Sequence, residues 1–213
     1  MTTYLTAAGY GEAEYVDKKS RFIGHVWPVS DESEAMTHIN ETRSLFRDAT
    51  HNVWAYNLRS GAMRWSDDGE PGGTSGRPTL NVFRAAEIVD VCCVVTRYFG
   101  GILLGSGGLV RAYSNAAQMA LEASGIRCMS LWRSFSFSCS YSQFEPVKRL
   151  LDRCGAVIEN AQYGADISVS ALIKAEGVQF MTSALTEFSA GTISVIFGPD
   201  RFCGEPVNRS PAD

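Results

Sequence analysis

Nine of the chain's 20 glycines fall between Ser66 and Gly108, in two clusters. The first is Ser66-Asp67-Asp68-Gly69-Glu70-Pro71-Gly72-Gly73-Thr74-Ser75-Gly76. The second is Gly100-Gly101-Ile102-Leu103-Leu104-Gly105-Ser106-Gly107-Gly108. Glycine weakens helix and strand interiors by about 0.5–1 kcal/mol relative to alanine, so such density marks loops. Between the clusters runs Val91-Cys92-Cys93-Val94-Val95, apolar without alternation. A strand of that kind is covered on both faces. The chain must therefore carry one doubly buried strand between two glycine loops. The second loop opens a helix over about Ser106 to Ser124, which Gly125 stops. Ala112, Ala116, Ala120 and Ala123 recur along it and let it approach a sheet closely.

The remaining pattern is mixed. Gly9 to Val29 reads as two strands ended at Pro28, and Asp31 to Phe46 as a helix capped by Ser30 or Asp31. Its inward stripe is Ala35, Met36 and Ile39, continuing to Thr42-Arg43 and Phe46. Asn52 to Arg59 and Ala62 to Trp65 form a hairpin, and Arg77 to Ala86 a helix with Pro78 in its first turn. After Gly125 the rhythm restarts. A strand over Leu131–Tyr141 leads to a helix over Gln143–Cys154 with Ser142 as N-cap. Strands over Ala156–Tyr163 and Ile167–Ile173, a helix over Glu176–Ser189 and a strand over Thr192–Phe197 follow. That order, β-α-β-β-α-β, is the ferredoxin-like split βαβ. The fold class is α+β with two domains, 1–127 and 128–200, and a flexible tail over 201–213.

Composition narrows the function classes. No apolar run approaches the roughly 18 residues that span a bilayer. Met1-Thr2-Thr3-Tyr4-Leu5 lacks the basic and apolar regions of a secretory signal. A cytoplasmic location without a membrane partner is expected. The six cysteines form no C-x-x-C pair, so reduced, buried thiols are expected. His25, His38 and His51 show no metal-binding spacing, and neither a metal nor a cofactor is expected. Residues 1–127 carry 12 Lys/Arg against 14 Asp/Glu, and residues 128–213 carry 7 against 9. Neither half is basic overall, so contact with a polyanion rests on a local patch.

The strand-to-helix turn from Thr96 to Arg111 is the strongest candidate site. Gly100, Gly101, Gly105, Gly107 and Gly108 leave backbone amides unobstructed, and Ser106 opens the helix. A helix N-terminus adds unpaired N–H groups and partial positive charge. With Arg97, Tyr98 and Arg111 this can hold phosphate, carboxylate or a nucleic-acid backbone. Tight packing of the turn is the competing reading. No Gly-Lys-Ser/Thr follows, so it is not a Walker A loop. The acidic loop offers Ser66, Asp67, Asp68, Glu70 and Thr74. Its carboxylates suit a hard cation or, the favoured reading, a hydrogen-bonded turn. His51 is a satisfied structural histidine or a polar functional residue beside that loop. No Gly-x-Ser-x-Gly elbow points to nucleophilic catalysis.

Two boxes carry a resemblance. Arg64-x-Ser66-Asp67-Asp68-Gly69-Glu70-Pro71-x-Gly73-Thr74-x-Gly76-x-Pro78 and Val95-Thr96-Arg97-Tyr98-Phe99-Gly100-Gly101-x-x-Leu104-Gly105-x-Gly107-Gly108-Leu109-Val110-Arg111-Ala112-Tyr113 resemble the signature of the IMPACT/YigZ family, in the right order. Lys19-Ser20-Arg21-Phe22-Ile23 and Asp48-Ala49-x-His51 also match. Gly72 departs from the Ser of many relatives. The later half is similar to the smaller second domain of the bacterial branch. The resemblance implies a first domain like the second domain of small-subunit ribosomal protein five, and a second like the last domain of elongation factor G. By motif it brings Arg64, Arg77 and Tyr98 near the glycine turn. Eukaryotic relatives regulate the response to amino-acid starvation through an N-terminal partner-binding extension, and that role is not carried over.

Three functions follow as expectations. The first is a non-catalytic binding protein of the translation or stress-response machinery, with RNA or the ribosome as partner. The second is an enzyme acting on a phosphorylated or carboxylated small molecule. The third is a protein-interaction module that uses an open sheet face lined by Phe135, Phe137, Tyr141 and Val169.

Overall fold

The computed structural model describes residues 2–206. Its first unit, Tyr4–Cys128, begins with β1 (Thr3–Ala7), β2 (Gly11–Asp17) and β3 (Ser20–Pro28). Then come α1 (Glu32–Leu45), β4 (His51–Asn57), β5 (Met63–Ser66), α2 (Gly76–Ala85), β6 (Val91–Tyr98) and α3 (Ser106–Ser124). β1 was not expected. Its five residues are too few for a periodicity to show. Contacts distant in sequence hold it: Val89 N–H donates to the Leu5 carbonyl, and the Thr6 hydroxyl to that of Asp90.

One antiparallel sheet in the order β2-β3-β6-β4-β5 organises the unit. β6 is its central strand and is covered on both faces, as its unbroken apolar run predicts. Val91, Cys93 and Val95 join Phe22, Val26 and the α3 residues Ala112, Tyr113, Ala116 and Ala120 in one cluster. Cys92 and Val94 join Ala35 and Ile39 of α1 in another. The alanines of α3 have a partner in glycine. A Cβ on Gly11 would lie 2.3 Å from the Ala120 carbonyl oxygen, and one on Gly24 would lie 2.5 Å from that of Ala116. Helix and sheet meet closely only because neither side has bulk there.

Helix ends follow the sequence closely. The Asp31 carboxylate accepts from Glu34 N–H at 2.9 Å and caps α1, and Gly125 at φ +68 ends α3. Met36 and Arg43, expected to face inward, are exposed; the buried stripe of α1 is Ala35, Ile39 and Thr42. A single helix above one sheet buries only a narrow stripe, and both residues lie off it.

The second unit, Met129–Gly204, runs through β7 (Ile126–Cys139), α4 (Tyr141–Arg153), β8 (Val157–Tyr163), β9 (Ile167–Lys174), α5 (Val178–Ser189) and β10 (Ile196–Pro206). β7, β9 and β8 are neighbours in that order, and β10 also pairs with β7. Gln143 Oε1 accepts from Ser140 N–H at 3.0 Å, so Ser140 and not Ser142 opens α4.

Two expectations fail in this unit. Phe135, Phe137 and Val169 do not line an open face. They are buried against Val147, Leu151, Met181 and Leu185 of the two helices. The alternation had two sides, and the helices cover the apolar one; Ser136, Ser138, Ser168 and Ser170 lie on the other. Tyr141 lies on α4, half exposed. Nor is the chain loose from 201, since β10 continues to Pro206. The Asp200 carboxylate accepts both arms of Arg133, at 2.6 and 2.8 Å, and Arg201 pairs with Glu159. The expectation rested on the general looseness of chain ends, which a terminal strand tied into a sheet escapes. Residues 207–213 lie outside the described residues.

Candidate functional site

The acidic loop between β5 and α2 is organised by its own carboxylates. Asp67 Oδ1 accepts from the Ser75 hydroxyl at 2.7 Å, Gly76 N–H at 2.8 Å and Ser75 N–H at 3.2 Å. Oδ2 accepts from Gly73 N–H at 2.8 Å. Burial raises the Asp67 pKa, but these donors outweigh it and hold the carboxyl below its ordinary range. Asp67 thus supplies the anion that the start of α2 favours. Asp68 Oδ2 accepts from Asn52 N–H at 2.6 Å, and Oδ1 pairs with Arg43 at 3.2 Å. The Ser66 hydroxyl accepts from Asp68 N–H, and Thr74 donates its hydroxyl to the Pro71 carbonyl at 2.6 Å. Gly76 is needed because a Cβ there would lie 2.7 Å from the Ser66 carbonyl oxygen.

Glu70 turns inward. Its side chain is 2% exposed, and Oε1 accepts from Arg97 Nη1 at 2.5 Å and from the Tyr113 hydroxyl at 2.8 Å. Burial, then the Glu70 carboxylate, push the Tyr113 phenol far above its ordinary range, so it stays a donor. His51 donates from Nδ1 to the Asp68 carbonyl at 2.8 Å, because that oxygen can only accept. Its Nε2 faces Glu70 at 3.8 Å. His51 is thus tied to the acidic loop through the Asp68 carbonyl. All three carboxylates are therefore occupied by internal donors, as a hydrogen-bonded turn requires. Among the described residues no group of acids, cysteines and histidines is placed to hold a metal ion.

Arg97 has a different place from the one the sequence suggests. Its side chain is 6% exposed and paired with Glu70, and its guanidinium carbon lies 5.3 Å from the Phe22 ring centre and 5.5 Å from that of Phe99. A buried, neutralised guanidinium is no open cation. It holds the root of the β6–α3 loop from below. Two further bonds fix that root: Phe99 N–H donates to the Thr50 hydroxyl at 3.0 Å, and Gly100 N–H to the Ser20 hydroxyl at 3.1 Å. Gly100 lies on the β2–β3 turn, where a Cβ would fall 2.1 Å from the Lys19 carbonyl carbon.

Above this base the loop is open. Phe99, Gly101, Ile102, Leu103, Gly105, Ser106 and Gly107 are exposed, Leu103 at 82%. Gly105, at φ +75, is the N-cap of α3 and has no side chain to offer the helix start. Gly108 is buried against Leu104. Arg111 is exposed one turn into α3, and Lys18 and Lys19 are exposed on the adjoining turn. Tyr98 donates its hydroxyl to Asp48 at 3.1 Å, and Arg21 stacks on its ring at 5.8 Å. Arg64 pairs with Glu32 of α1 at 3.6 Å, and Arg77 is exposed at the start of α2. Lys18, Lys19 and Thr50 were missed as neighbours; only strand register, which a sequence does not display, brings them there.

Residues 18–121 match the model of the Impact N-terminal domain, and residues 137–192 match a domain of unknown function, DUF1949. The IMPACT family member YvyE of Bacillus subtilis is 33% identical over 211 residues, covering 98% of this chain and 97% of that protein. The IMPACT family member YigZ of Escherichia coli is 32% identical over 183 residues, 84% and 90% of the two chains. A solved structure described as a hypothetical protein superposes with a TM-score of 0.61 at 30% identity, covering 92% of this chain and 97% of its own.

Proposed function

The chain belongs to the IMPACT family, and from that premise we propose that it is a non-catalytic binding protein of the translation and stress-response machinery. In this reading it grips the phosphate backbone of RNA at the 99–108 turn. The observation that carries the reading is the contrast between two helix starts. Asp67 fills the N-terminus of α2, whereas α3 begins at a bare glycine with exposed residues after it. Backbone N–H groups at such a start suit phosphate oxygens. Phe99 offers a ring on which a base can stack, and Lys18, Lys19 and Arg111 add charge around the turn. The buried Glu70–Arg97–Tyr113 contacts make the base rigid, so little ordering entropy is lost on binding.

Occupied carboxylates weigh against an enzyme. Asp67, Asp68 and Glu70 are engaged by internal donors, which leaves the acidic loop no free acid–base pair. The fold reading goes with this function. The first unit is read as like the second domain of small-subunit ribosomal protein five. The second is read as ferredoxin-like, like the last domain of elongation factor G. The cytoplasm is the fitting compartment.

Titration of structured RNA and of ribosomes over a range of salt tests the reading. Affinity should fall linearly on a log–log plot. The pair Lys19→Ala with Arg111→Ala should flatten the slope by about 1.5–2, one counterion release per lost phosphate contact. Absence of binding at low salt, or an unchanged slope in the pair, overturns it.

A further inference from the structure

On the opposite face of the first sheet, away from the glycine turn, the rings form tiers. His38 of α1 lies parallel to Trp27 of β3 at 4.9 Å and 5°. Tyr10 lies against Trp27 at 5.3 Å, and buried His25 fills in behind, 5.8 Å from Trp27 and 5.2 Å from Phe46. The topology explains why part of this stack stays open. α1 packs over β6 and β4. The register pairs Glu12 with His25 and Glu14 with Ile23, so these β2 and β3 side chains share the α1 face beside the helix. Tyr10 is 51% exposed at the end of the tiers.

The rim of this shelf is acidic. On the α1 face β2 carries Glu12 and Glu14, and α1 carries Glu32, Glu34 and Glu41 against Arg43 alone; Glu32 is paired with Arg64. Arg43 is paired with Asp68, and the neighbouring Arg21 with Glu14. Glu12 and Glu41 have histidine neighbours, His25 at 3.6 Å and His38 at 3.8 Å. The Tyr10 hydroxyl donates to Glu12 at 2.5 Å, so that carboxylate is held beside the exposed ring.

We infer that this shelf docks an arginine-bearing polypeptide segment, a partner independent of the RNA proposed for the glycine turn. A planar guanidinium adds the next tier on Tyr10 and directs its N–H fork at Glu12, with Glu41 drawing further positive charge. Arginine suits the place better than lysine, because only the flat, weakly hydrated group stacks and forks at once. The acidic rim also repels nucleic acid, which leaves the two surfaces with opposite partners.

The test uses fluorescence anisotropy with a labelled peptide of alternating arginine and glycine, and its lysine counterpart, on the full chain. The arginine peptide should bind at low salt and the lysine peptide several-fold more weakly. Tyr10→Ala should weaken the arginine peptide by about two- to fivefold, the range of an exposed cation–π contact. Glu12→Gln with Glu41→Gln should do the same; both residues are exposed, so this pair remains informative even if Tyr10→Ala fails to fold. RNA binding at the glycine turn should not change in either variant. Equal binding of the two peptides, or binding unchanged in the carboxamide pair, overturns the inference.

Discussion

Glu70→Gln tests whether the acidic loop is a latch. The carboxylate is 2% exposed and neutralises Arg97, itself 6% exposed and set against two phenyl rings. The substitution keeps the shape and one acceptor oxygen but leaves the guanidinium charge uncompensated. One-sided loss of a buried pair costs about 3–5 kcal/mol, and the remaining amide acceptor places this case near 3. Against a native stability of about 5–15 kcal/mol the protein should still fold. With a urea slope of about 2 kcal/mol/M the midpoint should fall by roughly 1.5 M. Trp132 lies in the second unit, so in a Trp132→Phe background the fluorescence of Trp27, Trp54 and Trp65 reports the first unit alone. Removing both charges with Glu70→Leu and Arg97→Met should recover at least half of the loss, since an apolar pair replaces a buried ion pair at little cost. A midpoint shift under about 0.3 M for Glu70→Gln, or losses that simply add, would refute the reasoning.

Other variants probe neighbouring claims. Asp67→Ala should destabilise by about 1–2 kcal/mol by uncapping α2, read by urea melts, and Asp67→Asn by less. Because the Asp67 pKa is lowered in the fold, its contribution is present above the unfolded value of about 4 and lost as pH falls. Burial likewise holds His25 below the ordinary imidazole range, with Glu12 opposing. Stability should therefore be full above about pH 6.5 and decline below it, and His25→Phe should flatten that decline in urea midpoints measured against pH. Gly100→Ala drives a Cβ into the Lys19 backbone at 2.1 Å. It should cost about 1–3 kcal/mol and displace the turn, seen as weaker RNA binding.

Much of the architecture was legible because the period of the pattern matched the element. The unbroken run in β6 announced a strand between two layers, and the alanine spacing with Gly125 bounded α3 to the residue. What stayed hidden depended on partners far along the chain. β1 owes its place to Val89 and Asp90, and β10 to Arg133 and Glu159. The two faces of β7 were visible as alternation, but not which of them the helices would cover. The same limit governed the site. The sequence placed Arg97 beside the glycine turn, yet its role depends on Glu70, 27 residues away, folding back over Tyr113. Of the charged groups that do stay open, Arg111 was legible beside the turn, whereas Lys18 and Lys19 come from the β2–β3 turn, which only strand register brings there.

The central claim is that the start of α3 receives phosphate, and backbone amide spectra test it most directly. Titration of ¹⁵N-labelled protein with inorganic phosphate, then with a short single-stranded RNA, should move the amide resonances of Gly101, Gly105, Ser106 and Gly107 together and saturably. The RNA should act at far lower concentration than phosphate. Resonances that stay in place at these four residues, or that move only in the second unit, would contradict the account.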